Sequence, residues 1–183
     1  MIYTFLADGF EEIEALCPID IMRRAGLSVT TVGISKKNII GSHNIEVTAD
    51  IVDNELCFNE KIDLIFLPGG MPGTKNLDAS VSVHRMLDLA LEQNAYISAI
   101  CAAPMILGQR GILQGKNAVC YPGFEEYLLG ATIPTDKNIV IDRKIITARG
   151  MGVATDLGLA LVEIFCGKEK ADALRHAIIA DKP

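Results

Sequence analysis

Tryptophan is absent and aromatic residues make up only 5% of the chain, so any core has to be built from aliphatic side chains. There is no surplus of positive charge. Seventeen lysines and arginines face 23 aspartates and glutamates, the net charge is −6 and the pI is near 5.1. That removes the basic footprint of a nucleic-acid binder. Nowhere does an apolar run approach the roughly 18–20 residues that cross a bilayer. The opening, MIYTFLADGFEEIE, turns acidic where a secretory signal needs a basic start and a cleavage site. The five cysteines, Cys17, Cys57, Cys101, Cys120 and Cys166, are odd in number and irregularly spaced, with no CxxC pair. Neither a disulfide framework nor a metal site is expected from them. These absences point to a cytoplasmic, reduced protein with no membrane or nucleic-acid partner.

What is present is bulk and rhythm. Half of the 183 residues are hydrophobic and 22% are charged, enough for one well-filled domain over 1–183. Short β-branched runs alternate with helical patterns along the whole length. Strands are predicted at 2–6, 27–34, 45–48, 63–67, 96–100, 117–120, 138–141 and 144–148. Helices are predicted at 11–25, 82–93, 102–110, 124–129, 153–166 and 169–179. Such alternation implies a mostly parallel sheet with helices on both faces, a three-layer α/β sandwich. Ligands of these sheets gather at the carboxyl ends of the strands. Three segments are thereby selected: 8–14, 68–73 and 99–104.

In the last of these, Ser98-Ala99-Ile100-Cys101-Ala102-Ala103-Pro104, an apolar strand ends at Cys101 and a helix is predicted to begin at once. Ala99 and Ala103, at i−2 and i+2, leave room for a sharp turn, a cysteine form of the G-x-S-x-G nucleophile elbow. A helix N-terminus offers free N–H groups and a positive dipole end, so a thiolate with a depressed pKa is expected at Cys101. Most cysteines are simply buried, and Cys17, Cys57 and Cys166 carry no such context. Cys120 ends a predicted strand and could approach the same pocket.

Glu11, Glu12 and Glu14 open the first helix, where acids complement the dipole. Glu14, however, shares a stripe with Pro18, Ile21 and Ala25 that should face the sheet. A carboxylate there needs a partner, because an unpaired buried charge is costly. The Cys101 thiol would serve, with Glu14 giving or taking a proton. Pro68-Gly69-Gly70 follows a buried strand with no side chain to block approach. It is either a tight turn or an oxyanion hole, in which the N–H groups of Gly70 and Ala102 face a developing negative oxygen. It lacks the lysine and hydroxyl of a phosphate loop.

Taken together, Asp8-Gly9-Phe10-Glu11-Glu12-Ile13-Glu14, Leu67-Pro68-Gly69-Gly70, the Cys101 segment and Arg149-Gly150-Met151-Gly152 resemble the ThiJ/PfpI superfamily, in particular its DJ-one (protein deglycase) branch. The likeness runs through nearly the whole chain, including 20–26. It implies a flavodoxin-like sandwich related to class I glutamine amidotransferases and usually assembled as a homodimer. By that resemblance Cys101 is the reactive, easily oxidised cysteine and Glu14 its carboxylate partner. Gly70 and Ala102 would supply the backbone N–H groups. The implied chemistry is cofactor-independent conversion of glyoxal, methylglyoxal or early glycated adducts, with a role in oxidative-stress protection. Two departures matter. The protease-like branch has a histidine directly after the cysteine, where this chain has Ala102. The DJ-one branch often has a histidine before a proline near the pocket, where this chain has Tyr121 before Pro122. Of His43, His84 and His176, only His43 lies in a loop that could reach a strand-end pocket.

Three functions compete: an enzyme acting on small aldehydes or glycated adducts, a redox sensor or chaperone using oxidation of Cys101, and a peptidase or amidotransferase. The last shares the elbow but needs a histidine base.

Overall fold

The strand predicted at 2–6 is present as β1 (Ile2–Leu6) and is buried along its entire length. Its side chains alternate between two cores, Tyr3 and Phe5 in one, Ile2 and Leu6 in the other, as a central strand covered on both faces requires. The computed structural model describes residues 1–181. After β1 come α1 (Glu12–Arg24), β2 (Val29–Gly33), β3 (Asn38–Ile40), β4 (Glu46–Thr48), β5 (Ile51–Val52) and β6 (Leu64–Leu67). Then follow α2 (Gly73–Asp78), α3 (Val81–Glu92), β7 (Tyr96–Ile100), α4 (Pro104–Gln109), β8 (Ile139–Asp142), β9 (Ile145–Ala148), α5 (Ala154–Cys166) and α6 (Lys168–Ala177).

The main sheet runs β5-β2-β1-β6-β7-β9-β8. All its pairings are parallel except that of β8 with β9. Helices α2, α3 and α4 supply Leu77, Met86 and Ile106 to the core on one face. On the other, α1, α5 and α6 supply Met22, Leu157 and Ala171. This is the three-layer α/β sandwich that the alternation predicted, of the flavodoxin-like kind that the family resemblance implied. The chain leaves β1 first toward β2 and later toward β6, so the direction of winding reverses between them. That reversal opens a crevice at the carboxyl edge of the sheet.

Departures from the predicted elements are local. No strand forms at 117–120, where Asn117 makes only an isolated bridge to Thr132. There the backbone N–H groups of Asn117 and Val119 donate to the side chains of Asp142 and Thr147, 2.8 and 2.9 Å away, in place of a ladder. The helix predicted at 102–110 starts only at Pro104, after a turn at 101–103. The one predicted at 124–129 is a single 3₁₀ turn, Glu125–Tyr127. Strands β3 and β5 and helix α2 are short and were not foreseen. The β3–β4 hairpin is a separate two-stranded sheet. It docks on the start of α1 through the Gly9 N–H to Ile40 O bond (2.7 Å) and the Ser42 N–H to Phe10 O bond (2.8 Å).

Candidate active site

Four segments meet at the crevice, following β1, β6, β7 and β9. Cys101 comes directly after β7 with φ +64°, a left-handed conformation that is unusual and strained for a residue with a Cβ. Two backbone bonds hold it there: its N–H donates to Ala148 O (2.9 Å), and its carbonyl accepts the Tyr121 N–H (2.8 Å). The sulfur is neither sealed in the core nor fully open. The N–H groups of Gly70 and Ala102 face it, the same two donors that the sequence singled out.

Glu14 reaches this sulfur from α1. Glu11 caps the helix, its Oε2 accepting the Glu14 N–H at 2.7 Å. The turn of helix this sets points the Glu14 carboxyl inward, where only 2% of the residue is exposed. Burial pushes the carboxyl up to about 7, although the Cys101 thiol and the N–H groups of Gly69 and Met151 come near enough to draw it part of the way back. Its Oε2 nevertheless has no hydrogen-bond partner of ordinary geometry, so the approach is loose and the oxygen is left without a firm donor.

The expected depressed thiol is not found. Burial and the adjacent Glu14 carboxylate push Cys101 up to about 12, against the opposing pull of the Gly70 and Ala102 N–H groups. Part of the reason is the turn at 101–103, which leaves the sulfur before the start of a helix of six residues instead of on its first turn. The larger causes are burial and, after it, the neighbouring carboxylate. Two acids this close share protons, so a thiolate at Cys101 goes with a protonated Glu14. In that state Glu14 becomes a donor to the sulfur instead of a repelling charge.

Gly69, which the sequence analysis passed over in favour of Gly70, is the tightest point of the site. A Cβ there would lie 2.5 Å from both the Cys101 Cβ and Glu14 Oε2. Only a glycine lets the loop after β6 pass between Cys101 and the Glu14 carboxyl. Gly70 has φ +90° and lies against the backbone of Gly9 and Glu11, so it too is confined to glycine.

The sulfur opens into a cleft of about 820 Å³ that Glu11, Glu14, His43, Tyr121, Asn138 and Arg149 help to line. Tyr121 and His43 thus lie along the cleft. Cys120 does not. It is buried among aliphatic side chains, and burial pushes its thiol up to about 11. His84 and His176 lie elsewhere, paired with Asp78 and Asp181. A second cleft of about 630 Å³, lined in part by Asp8, Lys36 and Ser80, contains no nucleophile of this kind.

His43 is anchored by Glu12, whose significance the sequence did not disclose. The buried Glu12 Oε1 accepts the His43 backbone N–H at 2.7 Å, and Oε2 lies 2.8 Å from Nδ1. With Nδ1 engaged, Nε2 is the ring nitrogen left for other partners. The bond and charge of Glu12 raise the imidazole above its ordinary value. Burial works against Glu12, yet its bonds from His43 and Ser42 hold its carboxyl below the usual range. Glu11, Glu12 and His43 bring three donor atoms within 4.8 Å of one another. Both carboxylates are already engaged, Glu11 by the helix N-terminus and Glu12 by the 42–43 turn, so this is a hydrogen-bonded cluster.

The sequence model of the DJ-1/PfpI family matches residues 1–164. The chain belongs to the DJ-1/PfpI family. Protein DJ-1 homolog B of Arabidopsis thaliana is 36% identical over 168 residues, 91% of this chain but 38% of that protein. The chain thus spans well under half the length of this relative. A Caenorhabditis elegans relative named glutathione-independent glyoxalase DJR-1.2 is 30% identical over 164 residues, 90% of this chain and 87% of that one. Among solved structures, oxidised DJ-1 of Toxoplasma gondii superposes with a TM-score of 0.92 at 32% identity, covering 97% of each chain. The fold and the ThiJ/PfpI resemblance read from the motifs are thereby shown.

Proposed function

We propose that this member of the DJ-1/PfpI family converts small α-oxoaldehydes such as glyoxal and methylglyoxal, or early glycated adducts, to hydroxy acids without a cofactor, in protection against carbonyl stress. The observation that carries the reading is a strained, accessible cysteine facing a buried carboxyl that titrates near 7, a value suited to moving protons in both directions at neutral pH. The name of the C. elegans relative supports it.

The Cys101 thiolate adds to the aldehyde carbon. The oxyanion formed is met by the Gly70 and Ala102 N–H groups and takes the proton of Glu14, giving a hemithioacetal. The Glu14 carboxylate then removes the hydrogen from the same carbon as a proton. The electron pair moves to the adjacent ketone oxygen, which takes up the hydroxyl proton of the first carbon by way of an enediol, and the proton held by Glu14 returns at the second carbon as the first carbon becomes a carbonyl. The product is a 2-hydroxy thioester. Water cleaves the C–S bond, releasing the hydroxy acid and restoring the thiol. To His43, which Glu12 holds and which helps line the cleft, we assign the activation of that water. As protein partner we propose a second copy of the chain, seated on the exposed Ile13, Ile40 and Ile45 around the β3–β4 hairpin.

The test is a methylglyoxal progress curve for wild type, Cys101→Ser and Glu14→Gln. Both variants should lose turnover. Wild-type rates in either would refute the assignment. A wild-type chain that consumes no aldehyde but takes up two oxygen atoms at Cys101 under mild peroxide is instead the redox sensor.

A further inference from the structure

Among the described residues two basic side chains line the cleft at Cys101, and they are in different states. His43 is satisfied by Glu12. Arg149 is not satisfied. Its backbone is fixed at the end of β9, the N–H donating to Asn138 O at 2.9 Å, but among the described residues its guanidinium makes neither an ion pair nor a side-chain hydrogen bond. Its Nε is buried without a partner. A guanidinium is a planar fork of five donors that is always charged, and a buried N–H of it left unmatched is costly. Among the described residues no other lysine or arginine lines this cleft.

Two carboxyl groups, Glu11 and Glu14, share the cleft with Arg149. Burial favours the protonated form of Glu14, and the Glu11 carboxylate is turned to the helix N-terminus. Position makes the cation useful. Arg149 precedes Gly150, whose ideal Cβ would lie 3.6 Å from Glu14 Oε1 and 3.3 Å from the Tyr121 ring. The guanidinium is therefore carried by the segment that forms the cleft wall beside the Cys101–Glu14 pair. The surplus of negative charge on the whole chain offers no general attraction for anions, so any preference for them has to be local.

We propose that Arg149 is an anion anchor, and that the carbonyl compounds this cleft prefers carry a carboxylate, bound by the fork while their aldehyde end meets Cys101. The substrate half of this inference rests on the glyoxalase reading above. The anchor does not.

Alkylation tests the anchor without turnover. Iodoacetate and iodoacetamide both form an S–C bond and release iodide, and they differ in carrying a carboxylate or a neutral amide. The exposed Cys57 is the internal reference, followed by mass spectrometry. Relative to Cys57, Cys101 should favour iodoacetate over iodoacetamide by about tenfold or more, the range of a charge-assisted bond. The preference should vanish in Arg149→Gln and survive in part in Arg149→Lys, which keeps the charge without the fork. A preference that is absent from wild type, or equal in wild type and Arg149→Gln, overturns the anchor.

A second arm compares 4,5-dioxopentanoate with its methyl ester, which share the same oxoaldehyde end. The acid should have the higher kcat/KM in wild type, and the ratio should fall toward one in Arg149→Gln. Alkylation selectivity with no consumption of either compound would keep the anchor and sink the glyoxalase reading. Turnover with neither acid preference nor alkylation selectivity would do the reverse.

Discussion

Replacing Glu14 by glutamine should make the protein more stable at pH 8 than the wild type and not at pH 4. The carboxyl is 2% exposed and is pushed from an ordinary 4.5 up to about 7. A raised carboxyl pKa means that between these values the folded chain holds a proton that the unfolded chain releases. Stability therefore falls as pH rises through that window. The difference corresponds to about 3 kcal/mol between the two ends of the window. Glutamine keeps the shape and cannot ionise. The difference in unfolding free energy, variant minus wild type, should then be near or below zero at pH 4 and climb by about 3 kcal/mol by pH 8. Urea melts of both proteins across this range measure it, and groups that titrate equally in both cancel. The same variant should let Cys101 ionise at lower pH, because the neighbouring carboxylate is one of the causes that raise it. Iodoacetamide rates against pH report this. A stability difference independent of pH would refute the argument that Glu14 is held in its protonated form by burial.

Gly69→Ala needs no unusual φ, so its effect isolates crowding between the new methyl group, Cys101 and Glu14. A loss of about 1–3 kcal/mol is expected, seen as a drop of roughly 2–4 °C in Tm per kcal/mol. The alkylation profile of Cys101 should shift with it, and an unchanged profile would show that the loop is not wedged between the two groups. Glu12→Gln should lower the pH at which His43 titrates, followed by NMR of the imidazole. The Glu12–His43 attraction contributes to the fold below the ordinary imidazole value of 6.5 and is lost as pH rises through the raised one. A His43 titration unmoved by this change would mean that Glu12 does not hold the ring.

The layered α/β architecture and the position of Cys101 at a strand end were legible in the chain itself. Short β-branched apolar runs and small residues flanking Cys101 are local signals, and local sterics decide them. Glu14 was legible as an inward-facing carboxyl because helical spacing puts it on the stripe with Pro18 and Ile21. The state of that pair was not. An isolated helix N-terminus lowers a thiol pKa, and only the packed structure shows that burial and a carboxylate brought from α1 push it the other way. Nor could spacing show that Cys120 turns into the core. The 117–120 segment donates to side chains far along the chain, so no strand forms there to carry Cys120 to the cleft. The tight passage at Gly69, the Glu12 clamp on His43 and the unmatched Arg149 all join segments distant in sequence. Their energies depend on which groups share a low-dielectric space, and folding alone determines that.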